Sequence, residues 1–278
     1  MKKIVLIIAL ILVTSIAFSQ KKEKVKGSKI VTTEIKKIEA FESLEVADNI
    51  EVFLIKGTEC GLEIEADDNL HDAIDIVING STLRLSTLKN AFGFKKLSIR
   101  VTYKDDFDSV ITRDESSIIA LTDIELDTIV FKSYDSSKLF LNSKTKNFTL
   151  LMDDKSKVEI NSKSEKTSIS LSKNAKIKAL IAATDLKFDM YQKSDATVEG
   201  DVNDITLRLD NNASFIGKNL VAKNAEITTE GYTKASINIK SNVIIDASGK
   251  SEIQLYGDQK IEIKRFVDSA ILMKKTTR

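Results

Sequence analysis

The sequence predicts an all-β protein whose long C-terminal part winds into a parallel β-helix, a solenoid of about nine coils, preceded by a short β-rich N-terminal part with a hairpin. Three observations carry that expectation. A two-strand unit recurs from Phe107 to the end, the 278-residue chain contains no proline, and only one two-residue glycine turn of the kind that joins hairpin strands stands out. At ordinary usage of about 5% a chain of this length would carry roughly a dozen prolines. Proline cannot donate to a β ladder, so a chain without it is one in which nearly every N–H is wanted by a neighbouring strand.

From the N-terminus, residues 1–19 read as a secretory signal peptide. Lys2 and Lys3 form its positive end, Ile4 to Val13 its apolar centre, and Ala17-Phe18-Ser19 its small-residue cleavage site. An uncleaved anchor is the competing reading, although the apolar run is short for a bilayer. Residues 20–37, polar and basic without periodicity, are expected to form a flexible lead-in, with order beginning near Phe41.

Residues 38–106 are expected to form a β-rich cap. Phe41–Val46, Glu51–Gly57 and Leu62–Ala66 alternate apolar and polar residues as half-buried strands do. Asp68–Ala73 fits one helical turn. Ile74–Ile78 and Thr82–Ser86 flank Asn79-Gly80, which signals a type I′ hairpin. Leu97–Tyr103 closes the segment with a clean alternation.

Residues 107–278 form the repeat. Each unit holds a strand, a polar corner, and a small-x-apolar triplet that opens a second strand. The triplets begin at Ser116, Ser137, Ser156, Ala175, Ala196, Ala213, Ala235, Ser251 and Ser269. From 116 to 269 there are eight intervals of about 19 residues each, the length of one solenoid coil. One such unit cannot bury its apolar faces alone, and stacking like units makes a continuous core. An antiparallel sandwich is the alternative architecture.

The stretches Phe41-Glu42-Ser43-Leu44-Glu45-Val46, Asn49-Ile50-Glu51-Val52, Asp67-Asp68-Asn69-Leu70 and Asn79-Gly80-Ser81-Thr82-Leu83 resemble the head (GIN) domain of putative auto-transporter adhesins. The resemblance runs from Ile38 to Ile271. It implies a right-handed parallel β-helix in the cell envelope or outside the cell and no established activity. This chain departs from the family at the corners. Asp114-Glu115-Ser116, Asp135-Ser136-Ser137 and Asp154-Lys155-Ser156 stand where relatives use Gly-Ser-Gly, leaving less freedom for positive φ.

The chemistry expected is sparse. Net charge is +1, with acidic and basic residues interspersed, which argues against nucleic acid as a partner. The sole histidine, His71, is expected in a solvated surface turn outside any nucleophile motif. One His and one Cys, Cys60, do not make a zinc site, and Cys60 reads as a small buried hydrophobe without a disulfide partner in the chain. Asp67-Asp68, Asp105-Asp106 and Asp153-Asp154 are the carboxylate pairs that glycoside cleavage would need, yet each sits at a predicted turn, where Asp serves the local backbone. Calcium at such corners stays open. Tyr134, Tyr191, Tyr232 and Tyr256 fall near corners and would form a stacking row if they shared a face.

The sequence therefore predicts an exported, non-enzymatic interaction, adhesion-like or structural module, with no catalytic, metal or cofactor residues assigned. Its location would be the periplasm, cell surface or exterior, with no membrane span after signal cleavage. Partner classes are a surface polysaccharide, another protein, or a second copy through the end of the solenoid. The competing function is a carbohydrate-active enzyme, a polysaccharide lyase or hydrolase, on the same scaffold.

Overall fold

The computed structural model describes residues 22–276, so the signal-peptide expectation for residues 1–19 lies outside the described residues. The N-terminal region contributes β1 (Lys24–Lys26), β2 (Val31–Lys37), β3 (Ser43–Val46), β4 (Glu51–Lys56) and β5 (Gly61–Asp67). A 3-10 turn over Asp68–Ala73 follows, then β6 (Ile74–Asn79), β7 (Thr82–Thr87), β8 (Asn90–Phe92) and β9 (Leu97–Tyr103). The repeat begins with β10 (Ser109–Thr112), β11 (Ser117–Ala120) and β12 (Ile124–Ser133). It continues as β13 (Lys138–Met152), β14 (Lys157–Leu171), β15 (Lys176–Met190), β16 (Asp195–Leu209), β17 (Ser214–Thr229) and β18 (Lys234–Ala247). It ends with β19 (Glu252–Tyr256), β20 (Lys260–Phe266) and β21 (Ile271–Lys274).

Successive coils pair in parallel and in register, forming a β-solenoid of about nine turns. Lys138 to Met152 lies beside Lys157 to Leu171, and that in turn beside Lys176 to Met190. Each long strand bends midway, so one coil presents two inward rows. In β13 these are Leu139, Leu141 and Ser143, then Phe148, Leu150 and Met152. Stacking turns the rows into core columns. One runs Phe131, Leu150, Ile169, Phe188, Leu207, Ile227, Ile245.

The second column corrects three of the expected triplets. It runs Leu139, Val158, Ile177, Ala196, Phe215, Ala235, Ile253. Ala196 and Ala235 are thus core residues two positions past the corner, and the buried corner residues of those coils are Ser194 and Thr233. At the last coil the corner position is held by Ala270, one residue after Ser269, because Glu252 pairs with Ile271. The physical reason is volume. Phe215 meets the Phe188 ring edge-on at 5.2 Å, and an alanine above and below makes room for it.

The N-terminal region is wound into the same stack in an order the sequence does not suggest. β3 and β4 lie between β7 and β9 on one side and β10 and β11 on the other, all in parallel. Antiparallel strands then close that end: β6 against β7, β5 against β9, and β2 against β5. Where residues 20–37 are described, from residue 22 onward, the expected flexible lead-in is corrected by this last pairing. β2 donates a full ladder to β5 from Val31↔Asp67 to Lys37↔Gly61, and β1 pairs with β8. An edge strand that closes a sheet needs backbone hydrogen bonds more than an apolar face, so its polar sequence concealed it. The hairpin is present, but Asn79 pairs with Thr82 and only Gly80 has positive φ, 60°, which suits a type II′ rather than a type I′ turn.

The columns set the energetic expectations. Phe215→Ala should cost about 3 to 5 kcal/mol through the cavity it leaves. Ala196→Leu, which adds bulk beside Phe215, should cost about 1 to 3 kcal/mol. Denaturant unfolding of both variants tests whether the column is packed as described; an unchanged midpoint for Phe215→Ala would contradict it.

Candidate functional site

The corners come first, because the carboxylates that chemistry would use are concentrated there. Each corner is a four-residue turn whose second residue is left-handed. Asp114, Asp135 and Asp154 adopt φ of 58°, 57° and 59°, followed by Lys173 at 57°, Gln192 at 57° and Asn211 at 62°. At these corners non-glycine residues bear the left-handed cost themselves, whereas Gly231 and Gly249 take the same position in two later coils at φ 77° and 72°. For aspartate there is compensation. The Asp114 carboxylate accepts the Asp48 N–H at 3.1 Å, Asp135 accepts the Asp114 N–H at 3.1 Å, and Asp268 accepts the Gly249 N–H at 2.9 Å. These side chains latch one coil to the next.

The paired carboxylates are similarly engaged. Asp67 is fully buried in the cap and accepts the N–H groups of Lys29 at 2.8 Å, Lys95 at 3.0 Å and Lys96 at 3.0 Å. Burial pushes its carboxyl up, but the Lys96, Lys29 and Lys95 amides together hold it below the usual range. Asp68 accepts the Ser28 hydroxyl. Asp105 pairs with Lys56 at 2.6 Å. Asp153 and Asp154 share Lys173 at 3.0 and 2.7 Å. Among the described residues no group of three or more His, Cys, Asp and Glu side chains could hold a metal.

One expectation is corrected. His71 is buried rather than solvated, its Nε2 hydrogen-bonded to Thr32 Oγ1 at 2.9 Å, because β2 covers the turn that carries it. The four tyrosines form no row. Tyr134 and Tyr191 open their corners, under Arg113 at 4.7 Å and Arg208 at 5.9 Å, whereas Tyr232 is the third corner residue and Tyr256 ends β19. Cys60 is half-buried against the core.

The arrangement that remains available to a partner is the outward face of β13–β16, which sequence reasoning passed over. Its residues alternate with core residues, and in-register stacking gathers them into rows: Phe140, Glu159, Lys178, Thr197, and beside it Asn142, Asn161, Leu180, Glu199. Together they line a shallow groove of about 540 Å³. Phe140 is 39% exposed and Leu180 49%, apolar surface that no element covers among the described residues. Charge changes along the stack. Lys138, Lys144, Lys157, Lys163, Lys176 and Lys178 are exposed on β13–β15 together with the acids Glu159, Glu165 and Asp185, and Asp195, Glu199 and Asp201 follow on β16. The only signal for this face in the sequence was the polar half of each alternation, which by itself says nothing about neighbours.

Comparison with known proteins adds the following. A family model described as putative auto-transporter adhesin, head GIN domain, matches residues 40–258. No curated protein sequence matches the chain. Among solved structures, a putative adhesin from Parabacteroides merdae is 16% identical with a TM-score of 0.66, covering 91% of this chain and 98% of its own. A putative adhesin from Parabacteroides distasonis is 14% identical with a TM-score of 0.64, covering 90% and 100%. A putative lipid binding protein from the same species is 15% identical with a TM-score of 0.59, covering 92% and 98%. At these identities the likeness is one of fold.

Four substitutions test the corner and cap chemistry. Gln192→Gly should stabilise by about 1 kcal/mol by relieving the left-handed residue, whereas Asp135→Gly should gain less because it also removes a latch; equal gains in thermal unfolding would deny the latch. For Asp67, whose folded pKa is lowered, the stability it contributes is present above the ordinary aspartate value and lost as pH falls through the folded value. Acid unfolding of Asp67→Asn should therefore begin at higher pH than in the wild type. Tyr103 is fully buried with no partner for its hydroxyl, and burial, then the charges of Glu125 and Asp105, push it up to about 12. Its contribution is whole below the unfolded value near 10 and lost as pH rises through about 12. Tyr103→Phe should be within about 1 kcal/mol of wild type or more stable at neutral pH, and its alkaline unfolding should come later.

Proposed function

Because this chain belongs to the putative auto-transporter adhesin head GIN domain family, we propose that it is an exported, non-enzymatic interaction module, adhesion-like in role, that meets its partner through the outward face of β13–β16. One observation carries the reading. Side chains from four successive coils form an open groove with exposed Phe140 and Leu180, while in each carboxylate pair at least one member is engaged by backbone amides, a hydroxyl or a lysine. A glycosidase needs two carboxyl groups free to face one sugar. The leader-like residues 1–19 favour work in the periplasm, at the cell surface or outside the cell. The relatives described as adhesins fit that setting, and the one described as a lipid binding protein fits a binding role.

A second copy is a further partner, favoured by one specific feature. The coil of β20 and β21 has a neighbour on one side only among the described residues, and Ile261, Ile263 and Ile271 are 44%, 51% and 52% exposed there. Such an edge invites pairing.

Glycan-array binding of the chain from Lys22 onward, with Phe140→Ser/Leu180→Ser alongside, tests the first reading; the variant should lose binding while keeping its unfolding midpoint. New reducing ends or unsaturated products from any bound polysaccharide would overturn the non-enzymatic assignment. For the second, light scattering should show association that Ile263→Asp abolishes, and a strict monomer at all concentrations removes it.

A further inference from the structure

The face that carries the proposed interaction also contains an electrostatic arrangement that works against the fold. In-register pairing places Lys157 directly between Lys138 and Lys176, one strand spacing of about 4.8 Å from each. Like charges opposite one another across a ladder are destabilising. At several other positions the same stacking sets opposite signs side by side: Glu159 with Lys178 at 3.4 Å, Asp127 with Lys146 at 2.9 Å, and Asp123 with Lys144 at 2.7 Å. Like charges also meet pairwise at Lys144 and Lys163 and at Asp185 and Asp204, but in the ladders of β13–β16 only Lys138, Lys157 and Lys176 run to three. In the lysine row only Lys176 finds an acid among the described residues, Asp195 of the next coil at 3.1 Å. A fourth amine, Lys155, projects from the corner beside the row, and Ser136 and Asn174 flank it on the corners above and below.

These groups do not form a convex ridge. They line a groove of about 610 Å³, with Glu115 at one end. The groove shape favours a thin extended chain over a flat surface, and the row repeats its positive charge along the solenoid at about the length of one sugar. We propose that this groove binds a linear acidic polysaccharide, its carboxylate or sulfate groups taken up by Lys138, Lys155, Lys157 and Lys176 on three adjacent coils. The inference rests on the interaction-module reading and adds to it the chemical class of the partner. An anion threaded along the row removes the lysine repulsion, so binding and folding are coupled in the favourable sense.

The test uses the chain from Lys22 onward with polyuronate, sulfated dextran, neutral dextran, and vesicles of phosphatidylglycerol and phosphatidylcholine. Lys138→Gln/Lys157→Gln removes two row charges, and Lys166→Gln/Lys187→Gln removes the same charge from exposed positions of β14 and β15 outside both grooves. The expected result is binding to the acidic polymers but not to neutral dextran, weakened roughly tenfold in the row variant and by less than about twofold in the control. Without polymer, the row variant should unfold at the same temperature as wild type or higher; with polymer, wild type should gain more. Equal loss in both variants would overturn the proposal in favour of bulk charge. Vesicle binding that depends on the row, with no binding to either acidic polymer, would overturn it in favour of a membrane surface. Failure of all acidic probes would overturn the ligand class alone, whereas neutral-glycan binding lost in Phe140→Ser/Leu180→Ser would leave the interaction-module reading standing.

Discussion

In-register stacking of like coils is the constraint on which the rest of this structure depends. A residue in one coil is covered by its counterpart in the next, so every local choice is repeated along an axis. The core is therefore a set of columns, and a column must keep its total volume. The alternation of Ala196, Phe215 and Ala235 shows how that is met: one large ring is accommodated by shrinking its neighbours above and below. The same constraint explains the corners. A turn that must repeat at close spacing needs a left-handed residue in each coil, and at Asp114, Asp135 and Asp268 the carboxylate accepts a backbone N–H of the adjoining turn.

Stacking has the opposite effect outside. There it brings identical polar positions together, and electrostatics decides whether a row is stable. Several rows set opposite signs side by side and contribute small surface pairings. The row of Lys138, Lys157 and Lys176 does not alternate, and the exposed Phe140 and Leu180 lie close by on the same face. Several carboxylates elsewhere, among them Asp67, Asp68, Asp105 and Asp153, bind lysines, amides or hydroxyls, which makes them structural parts of the molecule. The acidic groups thus hold the solenoid together, while the basic and apolar groups of one face are left to the solvent or to a partner.

This division suits a binding scaffold. Inward columns and corner latches maintain the fold, and outward rows can change without disturbing it, because strand alternation separates the two sets residue by residue. Fold likeness to the Parabacteroides structures at 14 to 16% identity is the outcome such a separation allows. Fold alone does not specify a partner, and the specificity must lie in the rows.

The repeat of about 19 residues, the alternation within each strand, the hairpin at Asn79-Gly80, the helical turn over Asp68–Ala73 and the family itself were all legible from the sequence. Each depends on residues close together in the chain or on a period, and a period survives reading in one dimension. Tertiary structure decided what depends on separation. It tucked β3 and β4 between two later coils, gave the polar segment Val31–Lys37 a strand partner, and buried His71 beneath it. It assigned Ala196 and Ala235 to the core rather than the corner. It also set three lysines 19 residues apart side by side, because the charge density of a surface row exists only once the coils are stacked.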